Sequence, residues 1–331
     1  MSFSRYNPED SVISSETVVR GLWSGDNNTI STFYTASTFT EYYLDVYNNC
    51  ELCSGSSVQF SIQYGNINGS GSKLINSAVT GASPSRIVYG EYRNLVYGTE
   101  DTFFSFDNYA TTGSDIFVVN VARGRYKEAL LPGSFNLTLT SGSSTLRLTD
   151  DSGTTNLTRF IGENRVFYVI SGSNGIGFNN AASSSYYGML FPDLNVIVLN
   201  AKSGSATSVI PYITSSIGLP AGTTTVSNNH AVLYRSIVSG SSFQLKSEET
   251  VSSRYFFTRV KNGDFNYTTN PSIIDANGNL LYTTLINNPQ SYVTTVGMYN
   301  DNNELLAVAK LSRPLTKDFT KEALIRIKLD Y

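Results

Sequence analysis

The stretch YVTTVGMYNDNNELLAVAKLSRPLTKDFTKEALIRIKLDY, residues 292–331, decides the fold class. Residues 292–299 are rich in Tyr, Thr and Val, which favour strands. A turn of Asn and Asp follows at 300–303, and a second apolar run occupies 305–311. Residues 324–329 then alternate: Ile325, Ile327 and Leu329 share one face, Arg326, Lys328 and Asp330 the other. Strict alternation describes a strand with one buried and one wet face. The expectation is a hairpin over 292–311, with 324–329 pairing in the same sheet and its three apolar residues in the core.

Working back from there, the same pattern recurs. Val58, Phe60, Ile62 and Tyr64 alternate with Gln59, Ser61 and Gln63; Phe135, Leu137 and Leu139 alternate with Asn136 and Thr138; Leu146 and Leu148 continue it. Denser apolar runs at 116–121, 166–170 and 194–199 read as strands covered on both faces, and 255–260 is another strand. Seven Ser-Gly dipeptides, from Ser54-Gly55 to Ser239-Gly240, punctuate the gaps as turns. Helical signals are few. Residues 228–238 carry an Asn cap and a closing Gly240, and 314–323 place Pro314 in a first turn. Residues 205–218 are a weaker helix, opposed by their Thr, Val, Ile and Pro211.

The sequence therefore predicts a mainly β protein of antiparallel, sandwich-like sheets, in two sheet-rich parts with few short helices. The expected organisation is an N-terminal arm or edge segment over 1–57, a β domain over 58–205 and a C-terminal β domain over 206–331. The boundary falls where Gly, Ser, Thr and Pro accumulate, at 201–225.

Composition narrows the function. Charged residues are 15% of 331, well under the usual quarter. Net charge is −3, and the densest basic group, Arg123, Arg125 and Lys127, is too small for a nucleic-acid footprint. No apolar run is long enough to span a membrane, and residues 1–11 do not read as a secretory signal. One histidine, His230, disfavours proton-transfer chemistry near neutral pH.

Each motif with chemical potential has a plainer reading. Cys50 and Cys53 form one pair where a zinc site needs four ligands, and they read as reduced thiols in a loop. Asp150 and Asp151 are adjacent carboxylates, but neighbours on a strand point apart; a glycosidase pair must converge across a substrate. They read as a turn opened by Asp. The segments 275–279 (Asp275 to Asn279) and 300–304 (Asn300 to Glu304) faintly resemble calcium loops but lack the regular carboxylates, and read as hairpin turns. The glycines of 171–177 lack the Lys-Ser/Thr pair and following helix of a phosphate loop. No catalytic, cofactor-binding or metal-binding residue is assigned. The 22 tyrosines offer rigid amphipathic contact area, suited to protein interfaces or, with Trp23, to stacking on glycans.

Several blocks resemble virion structural proteins of contractile-tailed, T-even-like phages of aquatic hosts: VQFSIQYGNINGSGS (58–72), RIVYGEYRNLVYG (86–98), FVVNVARGRYKEALLPGSFNLTL (117–139), LRLTDDSG (146–153), VFYVISGS (166–173), YYGMLFPDLNVIVLNA (186–201), NYTTNPSIID (266–275) and YVTTVGMYNDNNELLAVAKLSRPLTKDF (292–319). The resemblance implies a non-enzymatic tail, baseplate or fibre-associated subunit. It would be oligomeric, contact other virion subunits and copies of itself, and assemble in the host bacterial cytoplasm, with no cofactor and no nucleic-acid or membrane partner. The alternative is a carbohydrate-binding adhesin or receptor-binding module.

Overall fold

The computed structural model describes residues 5–37, 42–49, 57–72, 83–106, 112–141, 143–154, 158–178, 186–201, 229–266 and 270–330. These group into two compact units: Met1–Thr17 with Thr250–Tyr331, and Val18–Glu249. The expected boundary segment falls almost wholly outside the described residues, as do Cys50, Cys53 and the disfavoured helical candidate at 205–218.

The protein is mainly β with antiparallel pairing, as the alternation predicts. In Val18–Glu249 one large sheet runs in the order β2 (Thr29–Ile30), β14 (Phe243–Gln244), β7 (Asn136–Ser141), β8 (Ser144–Asp150), β10 (Asn164–Ser173), β12 (Gly188–Phe191), β13 (Val196–Asn200), β5 (Asp115–Val121), β4 (Phe60–Asn66) and β3 (Tyr43–Val46). Short strands β9 (Arg159–Ile161) and β11 (Ile176–Gly177) pair with β10. Phe60, second from one end of this order, lies 5.2 Å ring to ring from Phe243, second from the other. The sheet is therefore curled, and its two ends face each other across one core.

That core holds Trp23, Phe33, Phe117, Phe135, Val169 and Leu199, with Leu233 and Ile237 of helix α2 (Asn229–Gly240). The opposite face of the sheet presents Ile116, Val118, Met189 and Val198 to helix α1 (Ser85–Tyr97), which inserts Val88, Tyr89, Tyr92 and Val96. β5 shows why its run is continuously apolar: Ile116 and Val118 go to one core, Phe117, Val119 and Val121 to the other. α2 fulfils the helix expected at 228–238. α1 was not expected as a helix, yet Val88, Tyr92 and Val96 recur at four-residue spacing and Gly98 closes it at φ 70° with its N–H on Asn94 O.

In Met1–Thr17 with Thr250–Tyr331, β15 (Lys246–Val260) lies between β1 (Ser11–Gly21) and β18 (Ala323–Asp330). Ser253–Val260 pair with β18; the N-terminal end of β15, Ser247 and Glu248, belongs to Val18–Glu249 and pairs within it with β6 (Ala129–Leu130). The expected hairpin is present, as β16 (Ser291–Tyr299) and β17 (Leu305–Lys317). Two expectations are corrected. β18 does not join that hairpin but pairs with β15, and β16 and β17 form a sheet of two. Residues 314–323 are not helical: β17 continues through Pro314 to Lys317, and a turn follows, closed by Thr320 N–H and O–H on Asp318 Oδ1. Pro314 lacks a donor, which a strand with an unpaired edge tolerates. A single-turn helix α3 (Thr284–Asn287) and two three-residue 3-10 helices, Pro8–Asp10 and Arg123–Arg125, complete the described elements.

Candidate functional site

The paired carboxylates are occupied by the fold. Asp150 ends β8, fully buried, and accepts from Gly133 N–H at 2.9 Å and Ser152 N–H at 3.1 Å. Burial outweighs those bonds and raises its pKa above the usual carboxylate value. Asp151 instead accepts from Arg159 Nη1 at 2.7 Å and Tyr168 N–H at 2.9 Å. The two carboxylates serve separate contacts, as neighbours on a strand must, and Thr154 N–H on Asp151 O closes the expected turn.

The loop 171–177 is a hairpin. Asn174 (φ 52°) and Gly175 (φ 76°) turn β10 into β11, two successive positive φ values that mark a primed turn. Asn136 clasps Asn174 from both sides, and Thr149 Oγ1 accepts from Gly175 N–H, so its amides are spent on neighbouring strands. At 275–279, Asp275 Oδ1 accepts from Asn277 and Asn279 N–H, each at 2.8 Å. At 300–304, Asn300 Oδ1 accepts from Asn302 N–H at 3.0 Å and Glu304 N–H at 2.8 Å. Both are the expected turns. Among the described residues no group of three or more His, Cys, Asp or Glu side chains is placed to hold a metal. Arg123 lies over the Tyr126 ring, and Arg125 bonds Ser24 and Ser57, so the two arginines of that basic group are engaged by their own surroundings.

Sequence reasoning missed a buried polar knot where β4 and β5 meet the start of α2. Asp115 Oδ1 accepts from Tyr64 O–H and from Asn66 Nδ2 at 2.6 Å, and Oδ2 accepts from Ser114 O–H at 2.6 Å. Burial first, and the Asp115 charge second, push the Tyr64 hydroxyl far above its ordinary value. It is locked as a donor. His230, on α2, is 3% exposed; burial pushes it down to about 4, and its Nε2 has no hydrogen-bond partner. Alternation in 58–64 puts Tyr64 on the face of Phe60 and Ile62, but nothing in the sequence pairs it with Asp115 fifty-one residues away.

Two aromatic side chains of the larger unit, Trp23 and Tyr168, are similarly committed. Trp23 is 2% exposed, packed 4.9 Å from Phe243, so it offers no stacking face. Tyr168 stacks on Tyr186 at 4.0 Å and carries the Arg159 guanidinium at 4.7 Å, so both its faces are covered.

The smaller unit is different. Its described residues bury three apolar side chains, Phe256, Val260 and Ile325, while fifteen large apolar or tyrosine side chains are exposed. The exposed set includes Val12, Ile13, Tyr292, Leu306, Val308 and Leu324. β18 shows the deficit directly: Ile325 is 7% exposed, Ile327 is half-buried, and Leu329, expected in the core, is 41% exposed. Scattered single exposed hydrophobics need no explanation, but a unit with more of them outside than inside does. This surface is the candidate functional site, and what it offers chemically is apolar and tyrosine contact area.

The chain matches no protein-family model, and neither curated proteins nor solved structures give a match.

Proposed function

We propose that the chain is a non-enzymatic structural subunit of a contractile phage tail, at the baseplate or a fibre attachment point. It would act through interfaces with copies of itself and neighbouring virion subunits, after assembly in the bacterial cytoplasm. The observation that carries the reading is the smaller unit, with three buried apolar side chains against fifteen large exposed ones. Such a surface suits an obligate contact, in which the partner supplies the missing half of a core. The resemblance of the blocks between 58 and 319 supplies the class of assembly. Low charge and abundant tyrosine fit interfaces that must exclude water over large areas.

The test is localisation in intact particles. Density for this chain at the tail end of a virion, or its peptides in purified particles at a fixed ratio to known tail subunits, is the expected result. Particles purified to homogeneity without the chain would remove the proposal. The carbohydrate-binding alternative is left with exposed tyrosines such as Tyr282 and Tyr292, because Trp23 is buried. Specific binding on a glycan array would favour it instead.

A further inference from the structure

The geometry points to β16 as a self-pairing edge: two copies of this chain join β16 to β16, antiparallel about a two-fold axis, to make a four-stranded sheet. The inference rests on the reading that the chain acts through interfaces with copies of itself. It goes beyond that reading by naming the element and the mode.

The argument starts from the hairpin itself. A sheet of two strands is marginal in water and needs further strands or a packed face. Among the described residues β16 and β17 have no third strand. The backbone bonds of 292–298 run to β17 alone. Among the described residues, one edge of β16 over 292–298 and one edge of β17 are therefore open.

The two open edges are not equivalent. β17 carries the exposed Lys310, Arg313 and Pro314, and both register irregularities of the pair add their extra residues to it. Between Val293 and Thr295 a single residue of β16 passes, while β17 advances from Leu315 to Lys310; between Met298 and Tyr299 none passes, while β17 skips Leu306. Charges, proline and bulges are the devices that blunt an edge against pairing. β16, SYVTTVGMY, has none of them: no charge, no proline, and no extra residue. The other strands at the unit's edges are also charged, β1 with Glu16 and Arg20, β18 with Arg326, Lys328 and Asp330. A long, regular, uncharged edge is a pairing template, and this unit keeps one.

A second copy fits that edge. With Thr295 on the two-fold axis the strands overlap fully, Tyr292 faces Met298, Val293 faces Gly297, and Thr295 faces itself. No charge meets its like, and the Thr–Thr pair at the axis is favourable across strands. The smaller unit has ten basic and ten acidic residues over 1–17 and 250–331, so it carries no net charge to repel its copy.

Thr294 provides the test, because the irregularity leaves it opposite no single residue of β17. In the two-fold pairing the two Thr294 positions are diagonal neighbours, roughly 7–8 Å apart. Purified full-length protein, Thr294→Lys and Thr294→Glu are compared at low salt by analytical ultracentrifugation. Wild type is expected to form dimers. Each variant is expected to dimerise several-fold more weakly, with an unchanged far-UV spectrum, and an equimolar mixture of the two to recover dimers. A monomeric wild type overturns the inference. So does undiminished association of both variants, or loss that mixing fails to restore. The outcome is read on the isolated chain, so absence from virions would remove the proposed function and leave this pairing intact, while a monomer inside virions would do the reverse.

Discussion

His230 makes the stability of the larger unit depend on pH in a window that few other groups share. An exposed histidine titrates at 6.5, and burial in the fold pushes His230 to about 4. Between those values the unfolded chain binds a proton that the folded chain refuses. Stability is therefore fully present above pH 6.5, declines as pH falls through the window, and levels off below about 4. The shift corresponds to about 3 kcal/mol in full, of which about 2 kcal/mol is lost between pH 7 and pH 5. Most carboxylates titrate below that interval. Asp150 opposes the trend: its raised pKa means the folded state holds the proton more firmly, so it adds stability as pH falls. The assay is urea unfolding at pH 7, 6 and 5, followed by the fluorescence of Trp23, the single tryptophan, buried in the same unit. His230→Gln removes the titrating group, so its free energy should vary with pH by about 2 kcal/mol less than wild type over the interval. Parallel pH profiles for the two proteins would refute the reasoning, whatever their absolute stabilities.

Lys317 is 1% exposed, and its Nζ donates to Asn262 O, Asn266 Oδ1 and Asp318 O at 2.8–2.9 Å. Lys317→Met strands those acceptors and should cost about 3 kcal/mol, measured by chemical denaturation with circular dichroism, since no tryptophan reports on this unit; an unchanged midpoint would refute the role. Ile325→Lys places an unpaired charge at a buried position of β18 and should cost about 3 kcal/mol or more, whereas Lys328→Ala, which breaks an exposed pair with Asp330 at 3.0 Å, should leave the melting temperature unmoved. Equal tolerance of the two would contradict the orientation of β18. Gly240→Ala would bring a Cβ to 1.9 Å from Thr138 O, where α2 abuts β7, and should destabilise by roughly 1–3 kcal/mol in the same fluorescence assay.

The strands were legible because their cause is local. Phe60, Ile62, Leu137, Leu139 and Leu148 are buried or nearly so, and their period of two writes that burial into the sequence. α1 was less legible. Its core positions are Val and Tyr, residues that favour strands, and Gly90 sits mid-helix; the packing of Tyr89 and Tyr92 over β4 and β5 overrides the propensity. The turn at Asp318 and the extension of β17 through Pro314 were illegible for a similar reason: Pro serves a helix start and an unpaired edge equally well. Pairing of β18 with β15 brings Ile325 beside Thr258, sixty-seven residues earlier in the chain. No local pattern carries such a partner. The knot of Tyr64, Asn66 and Asp115 was hidden in the same way.

β18 separates two things that alternation is often taken to mean together. The pattern of Ile325, Ile327 and Leu329 does fix which side chains share a face, and Ile325 is buried as that predicts. It does not fix what covers the face. Along the strand the cover thins, from buried Ile325 through half-buried Ile327 to Leu329 at 41% exposure. A face written in the sequence for burial, and left partly open by the rest of its own chain, has the form of half an interface. The same contrast holds on the hairpin, where Leu306 and Val308 are exposed beside half-buried Ala307 and Ala309. In Val18–Glu249 the described strands of the large sheet bury their patterned residues in two packed cores. The disagreement is concentrated in 250–331, which is therefore where a binding partner would change stability most, by supplying the cover the pattern anticipates.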